Sequence, residues 1–118
     1  CIRDSDALTK ARELREEFWR DVKVVGTGNR LNQELEKAGR VADFIELGEV
    51  MILDALDRRE SAGAHFRNEY ATEAGEAKRN DDDWCAVSAW ETRPDGTKVR
   101  HSEPLSFSLI DLQVRDYR

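Results

Sequence analysis

"NRLNQELEKAGRVADFIELGEVMILDALDRR", residues 29–59, is the longest periodic run in the chain. Leu31, Leu35, Ala38, Ala42, Ile45, Gly48, Ile52 and Ala55 recur every three or four residues, the spacing that aligns side chains along one face of an α-helix. The stripe crosses Gly39 without losing phase, and no capping residue follows that glycine, so the run reads as one long helix rather than two. A glycine in a helix interior costs about 1 kcal/mol relative to alanine, which a stripe of this length absorbs. Val41, Phe44, Leu47, Val50, Met51, Leu53 and Leu56 add apolar surface on other faces. A helix that is apolar around most of its circumference is buried on more than one side. This one is expected to need more partners than a single neighbouring helix supplies.

That neighbour is predicted upstream. Residues 5–22, "SDALTKARELREEFWRDV", carry an apolar stripe of Ala7, Ala11, Leu14 and Phe18, with Asp4 or Ser5 placed to cap the first turn. Arg12–Glu16 and Glu16–Arg20 sit one turn apart on the side expected to face water. The glycines of "VVGTGN" end this helix. Downstream, the long helix is expected to stop near Arg59 or Ser61, where "ESAGAHF" becomes small and Gly-containing. "ATEAGEAKRNDDD" reads as an exposed polar loop. "WCAVSAWE", residues 84–91, alternates Trp84, Ala86, Ser88 and Trp90 against Cys85, Val87 and Ala89, the pattern of a strand. "RPDGT" is a turn signal, and "KVRHSEPL" is the return strand, held to an edge position by Pro104. Phe107, Leu109 and Leu112 in the tail are available for packing. The predicted fold class is α+β and mainly helical: an antiparallel helical hairpin, part of a three-helix bundle, then a small β-hairpin and an irregular C-terminal segment. The expected organisation is a single domain or fragment over 1–118, with helices at 5–22 and 29–59, a docking segment and loop at 60–83, and a β-hairpin and tail at 84–118.

The chain has 118 residues and a net charge of −6, with both signs spread along it. Nucleic-acid binding normally demands a basic face, so that class is excluded. No apolar run is long enough to span a membrane and no signal peptide is visible, which points to a cytoplasmic protein. The chain begins with Cys1 rather than Met, as a fragment or processed product would. Cys1 and Cys85 form no spaced motif and read as free thiols in a reducing compartment. Two cysteines and two histidines at these spacings match no zinc pattern, and Asp81, Asp82 and Asp83 lack the alternation and distal glutamate of a calcium loop. They read as a solvated turn. The lone Gly-x-Gly in "VVGTGN" lacks the third glycine and the preceding strand that phosphate binding requires. Trp19, Trp84 and Trp90 read as core or interface anchors rather than a ligand cage.

The densest chemistry lies in "DRRESAGAHFRNEY", residues 57–70. A histidine near a carboxylate can act as a general acid or base, and Ser61 lies four residues before His65. No nucleophile motif surrounds that serine. The structural reading is that Arg59 neutralises carbonyls at the end of the long helix, where cations are favoured. The small residues 61–64 then allow close backbone approach, while His65 and Arg67 face neighbouring backbone or a partner surface. The candidate docking residues are Arg59, Glu60, Ser61, His65 and Arg67, with no catalytic, cofactor-binding or metal-binding residue.

At "ESAGAHFRNEY" and the following "RNDDDW", the chain resembles the C-terminal domain of flavoprotein subunits in the succinate dehydrogenase and fumarate reductase family. That family carries a Glu-Ser-Arg-Gly-Ala-His-x-Arg segment, then an acidic Arg-Asp-Asp run ending in Trp. Glu60, Ser61, Gly63, Ala64, His65 and Arg67 match the first motif, and Ala62 stands where the family has arginine. Arg79, Asp81 and Trp84 fit the second, with Asn80 replacing its first Asp. The longer loop 71–80 and the ending "HSEPLSFSLIDLQVRDYR" resemble the long bacterial succinate dehydrogenases, so the resemblance spans nearly the whole chain. It implies a parent enzyme whose FAD, catalytic arginine and substrate-binding histidines lie outside this region. That parent oxidises succinate to fumarate and passes electrons to an iron–sulfur subunit and a quinone at the cytoplasmic face of the inner membrane. The chain itself would hold no cofactor. It would be a non-catalytic scaffold whose partners are the FAD-binding domain and the iron–sulfur subunit, and it would self-associate where a bundle helix is missing. The rival readings are the equivalent domain of fumarate reductase or L-aspartate oxidase, and an independent helical interaction module.

Overall fold

The computed structural model describes residues 4–26 and 31–113. The chain divides into two compact units that meet in sequence between Asp57 and Arg58.

The first unit is the helical hairpin. α1 spans Asp4–Asp21 and α2 spans Gln33–Asp57. α1 already includes Asp4, and the expectation that Asp4 or Ser5 caps it falls outside the described side chains. α2 is one helix that runs through Gly39, as the unbroken stripe requires. It starts four residues later than the periodicity suggested because Asn32 intervenes as its N-cap. The Asn32 Oδ1 accepts from the amides of Glu34 at 3.1 Å and Leu35 at 3.2 Å, while its Nδ2 donates to the Val25 carbonyl at 3.0 Å. A cap of this kind is worth about 1 kcal/mol and also fixes the path of the incoming chain. At the other end, α2 stops at Asp57 with no basic residue in its last turn, so the expected Arg59 compensation of the helix terminus is not made.

Ala42 is the one buried hydrophobic residue among those described. Beside it on the face toward α1 lies Glu49, which is 2% exposed. Arg12 Nε donates to Glu49 Oε1 at 3.1 Å, and Arg15 Nη1 donates to Oε2. This corrects the expectation that Arg12 pairs with Glu16 on the wet side; likewise Arg20 pairs with Asp21 rather than with Glu16. Two cations one turn apart on α1 thus grip one carboxylate on α2. Meanwhile Phe44, Leu47 and Met51 are 54–69% exposed. Among the described residues there is no third long helix to cover them.

The second unit holds the rest of the chain. A single 3₁₀ turn at Asn68–Tyr70 and a one-turn helix α3 at Asp81–Trp84 precede two strands, β1 at Ala86–Thr92 and β2 at Lys98–Pro104. α3 corrects the reading of Asp81–Asp83 as a solvated turn and of Trp84 as a strand residue. Three carboxylates at a helix start are favoured by the local dipole, and the Trp84 amide closes the turn on the Asn80 carbonyl at 2.9 Å. The strands pair antiparallel, with Ala86 opposite Pro104 and Thr92 opposite Lys98. Ala86, Ser88 and Trp90 lie on the more covered face, and Val87, Ala89 and Glu91 on the exposed one, as the alternation requires. The "RPDGT" turn is closed by Arg93 and Thr97, and Asp95 Oδ1 accepts from the Thr97 hydroxyl at 2.7 Å and its amide at 3.0 Å. The hydroxyl bond, then the amide bond, holds the Asp95 carboxyl below the usual range. Arg100 stacks 4.5 Å from the Trp84 ring centroid and ties α3 to the sheet. The tail residues Phe107, Leu109 and Leu112 remain exposed.

Removing both arginines in Arg12→Met/Arg15→Met leaves Glu49 buried without a cation. This should destabilise the hairpin by about 3–5 kcal/mol. Adding Glu49→Leu should restore stability to the wild-type level or above, because a well-packed apolar side chain replaces the buried ion. Urea unfolding followed at Trp19 checks both; an unchanged midpoint in the double variant would show that the clamp is not structural.

Candidate functional site

The stretch after α2 is a chain of tight backbone reversals, and its side chains hold those reversals in place. Glu60 and Ser61 are fully enclosed, at 2% and 0% exposure. Glu60 Oε1 accepts from Arg58 Nε at 2.8 Å and Nη2 at 2.6 Å, and Oε2 accepts from the Asn80 amide at 2.9 Å. One carboxylate thereby joins the segment leaving α2 to the segment entering α3, 20 residues further on. The Ser61 hydroxyl accepts from the Arg67 amide at 2.9 Å and donates to the Arg67 carbonyl at 3.1 Å, closing a loop over 61–67. Inside that loop Ala62 and His65 exchange both backbone bonds, at 2.9 and 3.1 Å. Gly63 sits at the bend with φ +57°, a conformation that costs an L side chain free energy and glycine almost none. The Ser61 amide also donates to the Lys78 carbonyl at 2.9 Å, and the Lys78 amide to the Tyr70 carbonyl at 3.1 Å. The presumed loop 71–80 is therefore a closed turn, with Ala71 bridged to Ala77.

Arg67 supplies the cation near the end of α2 that Arg59 was expected to supply. Its Nη1 donates to the Arg58 carbonyl at 3.0 Å, its Nε bonds Glu69 at 2.8 Å, and its guanidinium lies 5.3 Å from the Tyr70 ring centroid. Glu69 is held below the usual carboxylate range by a hydrogen bond from its own backbone and then by Arg67. Arg59 is exposed, and so are Gly63, Ala64 and Phe66 at the loop tip. The structure does not assemble an acid–base pair here. The Glu60 carboxylate is bound to Arg58 and Asn80 rather than to His65, the Ser61 hydroxyl is held by Arg67 backbone, and His65 Nε2 is buried without a hydrogen-bond partner.

Beside the loop lies a cleft of about 330 Å³, lined by two Arg–carboxylate pairs, Arg58–Glu60 and Arg79–Asp81, and by Trp84, Leu105 and Phe107. Ala62 is in its wall. Arg58 and Asn80 are the functional partners that sequence reasoning missed. The signal was the Arg-x-Glu spacing of Arg58 and Glu60, repeated by Arg79 and Asp81, in which a long cation folds back onto a carboxylate two residues away.

The Glu60–Asn80 link joins the segments that carry the two resemblance motifs. The model of the fumarate reductase flavoprotein C-terminal family matches residues 5–117. The chain belongs to that family. It is also 29% identical over 121 residues to the succinate dehydrogenase flavoprotein subunit of Bacillus subtilis strain 168, an alignment covering 98% of this chain and 20% of that protein. The chain therefore spans about a fifth of the length of this relative. Within the family domain, Glu60, Ser61 and Arg67 fold the loop, and Arg59 and the 63–66 tip form its outer surface.

Two substitutions separate these roles. Arg58→Met leaves the Glu60 carboxylate with only the Asn80 amide and should destabilise the second unit by about 3 kcal/mol. His65→Leu removes a polar atom that has no partner, and stability should stay within about 0.5 kcal/mol or rise. Denaturant unfolding followed at Trp84 and Trp90 reads both; a large loss from His65→Leu would mean that its Nε2 is bonded after all.

Proposed function

We propose that this chain is the non-catalytic C-terminal scaffold of a succinate-oxidising flavoprotein. The family match over 5–117 carries this reading. The use of the motif side chains supports it, since Glu60, Ser61 and Arg67 are bonded within the chain and present no assembled acid, base or nucleophile. The FAD belongs to the parent, outside this region. The scaffold docks on the FAD-binding domain through Arg59 and the exposed tip of Gly63, Ala64 and Phe66, with the buried side chains of the motif holding that tip in shape. Of the candidate docking residues, Glu60, Ser61, His65 and Arg67 act by positioning, and Arg59 by direct contact. The parent hands electrons to an iron–sulfur subunit and so to a membrane quinone, and it is peripheral on the cytoplasmic face. No helix among the described residues is long and apolar enough to cross a membrane.

The test adds this chain to the parent flavoprotein lacking the same domain. The isolated chain should show no flavin absorbance and no succinate–dye turnover, and it should bind the truncated flavoprotein. Arg59→Glu/Phe66→Asp should abolish binding while leaving the chain's circular dichroism unchanged. Stoichiometric flavin in the isolated chain, or undiminished binding by the double variant, would overturn the reading.

A further inference from the structure

We infer that the Asp95–Gly96 link is a modification site, at which the opened chain cyclises to a succinimide and reopens as an isoaspartyl linkage, and that Thr97 latches it shut in the folded hairpin. This goes beyond the scaffold reading and does not depend on it. The link is the one place in the 118-residue sequence where glycine follows an aspartate or an asparagine. The residue after the aspartate matters because its amide nitrogen is the nucleophile, and glycine has no Cβ to crowd the attack or restrict the backbone. Asp95, Gly96 and Thr97 are all exposed, so water reaches the link.

In the folded turn both reacting groups are engaged elsewhere. The Gly96 amide donates to the Arg93 carbonyl at 2.9 Å. Asp95 Oδ1 accepts from the Thr97 hydroxyl at 2.7 Å and from the Thr97 amide at 3.0 Å, so the carboxylate is tied to the residue beyond Gly96. The same two bonds hold the carboxyl below its usual range, which makes scarce the protonated form whose hydroxyl can leave. The bend itself is fixed by Gly96 at φ +83° and by the Arg93 amide on the Thr97 carbonyl at 2.8 Å. Lys98 Nζ bonds the Thr92 hydroxyl at 2.9 Å where the strands enter it. When the hairpin opens, these restraints are lost together. The Gly96 nitrogen then attacks Asp95 Cγ: an N–Cγ bond forms, a Cγ–O bond breaks, and the carboxyl hydroxyl leaves as water with the amide proton. A second water adds to the imide. Addition at Cγ restores aspartate. Addition at the main-chain carbonyl of Asp95 breaks its bond to the Gly96 nitrogen and routes the chain through Cβ and Cγ. That product carries an extra backbone atom between Arg93 and Thr97, so the pairing that closes the tight turn no longer fits.

Incubation of the full 118-residue chain in heavy-oxygen water at neutral pH, followed by mass mapping of the peptide that contains Asp95, tests this. Each cyclisation and reopening places one solvent oxygen on Asp95, whichever product forms. The chain unfolded in guanidinium chloride has lost both Thr97 bonds and should take up label on the order of tenfold faster, or more, than the folded chain. Fragmentation of the labelled peptide should find the isoaspartyl form beside aspartate. Thr97→Val keeps the amide and loses the hydroxyl, and should label roughly fivefold faster than wild type, the weight of one hydrogen bond. Thr97→Ser restores the donor and should stay near the wild-type rate. A folded wild type that labels as fast as the unfolded chain, or an unfolded chain that takes up no label or forms no isoaspartate, would overturn the proposal. So would a Thr97→Val variant no faster than wild type, or a Thr97→Ser variant as fast as Thr97→Val.

Discussion

A carboxylate withdrawn from water must keep a cation or several donors beside it, and each unit of this chain is organised around one such group. Glu49 is the centre of the helical hairpin, and Glu60 is the centre of the unit that follows. With Ala42 as the buried hydrophobic residue among those described, volume filling contributes little to the geometry. Directional bonds from Arg12 and Arg15, and from Arg58 and the Asn80 amide, set it instead. Such bonds specify register well but add modest net stability, because the desolvation of the ions offsets much of their attraction. Each unit therefore has its own internal register, and α2 leaves Phe44, Leu47 and Met51 exposed.

The motif that carries the family resemblance takes on a different meaning in this light. A glutamate, a serine, a histidine and an arginine within eight positions suggest chemistry on paper. In the folded chain the glutamate clamps two distant segments, the serine locks both backbone groups of Arg67, and the arginine caps a carbonyl just beyond α2. Residue types that catalyse elsewhere here shape a loop, and the exposed tip they shape is the part that a neighbour can touch.

How much of this was legible in the sequence depends on the range of the interaction. The long helix through Gly39, the hairpin turn at Asp95–Gly96 and the alternation in β1 follow from local periodicity and turn chemistry, and all three are present. α3 was hidden because three aspartates look like solvated loop, while their position after Asn80 makes them a helix start. The Arg12–Glu49 and Arg15–Glu49 clamp joins residues more than 30 positions apart, where sequence offers only a faint signal. That signal was a glutamate seven residues from Ala42 and from Leu56, in phase with the apolar stripe where a hydrophobic residue belonged. The Glu60–Asn80 bond was likewise beyond reach, since it uses a backbone amide that no residue pattern marks.

The bond between Arg58 and Arg59 lies next to the division between the two units, where a dibasic pair in an open linker would be a trypsin-like protease's first cut. Here the Arg58 side chain is locked on Glu60 and its carbonyl accepts from Arg67, so the peptide cannot enter a protease cleft without breaking the motif. The same loop that shapes the outer surface therefore ties down both the side chain and the carbonyl of Arg58. Resistance to digestion at this position is thus a direct readout of whether the loop is intact.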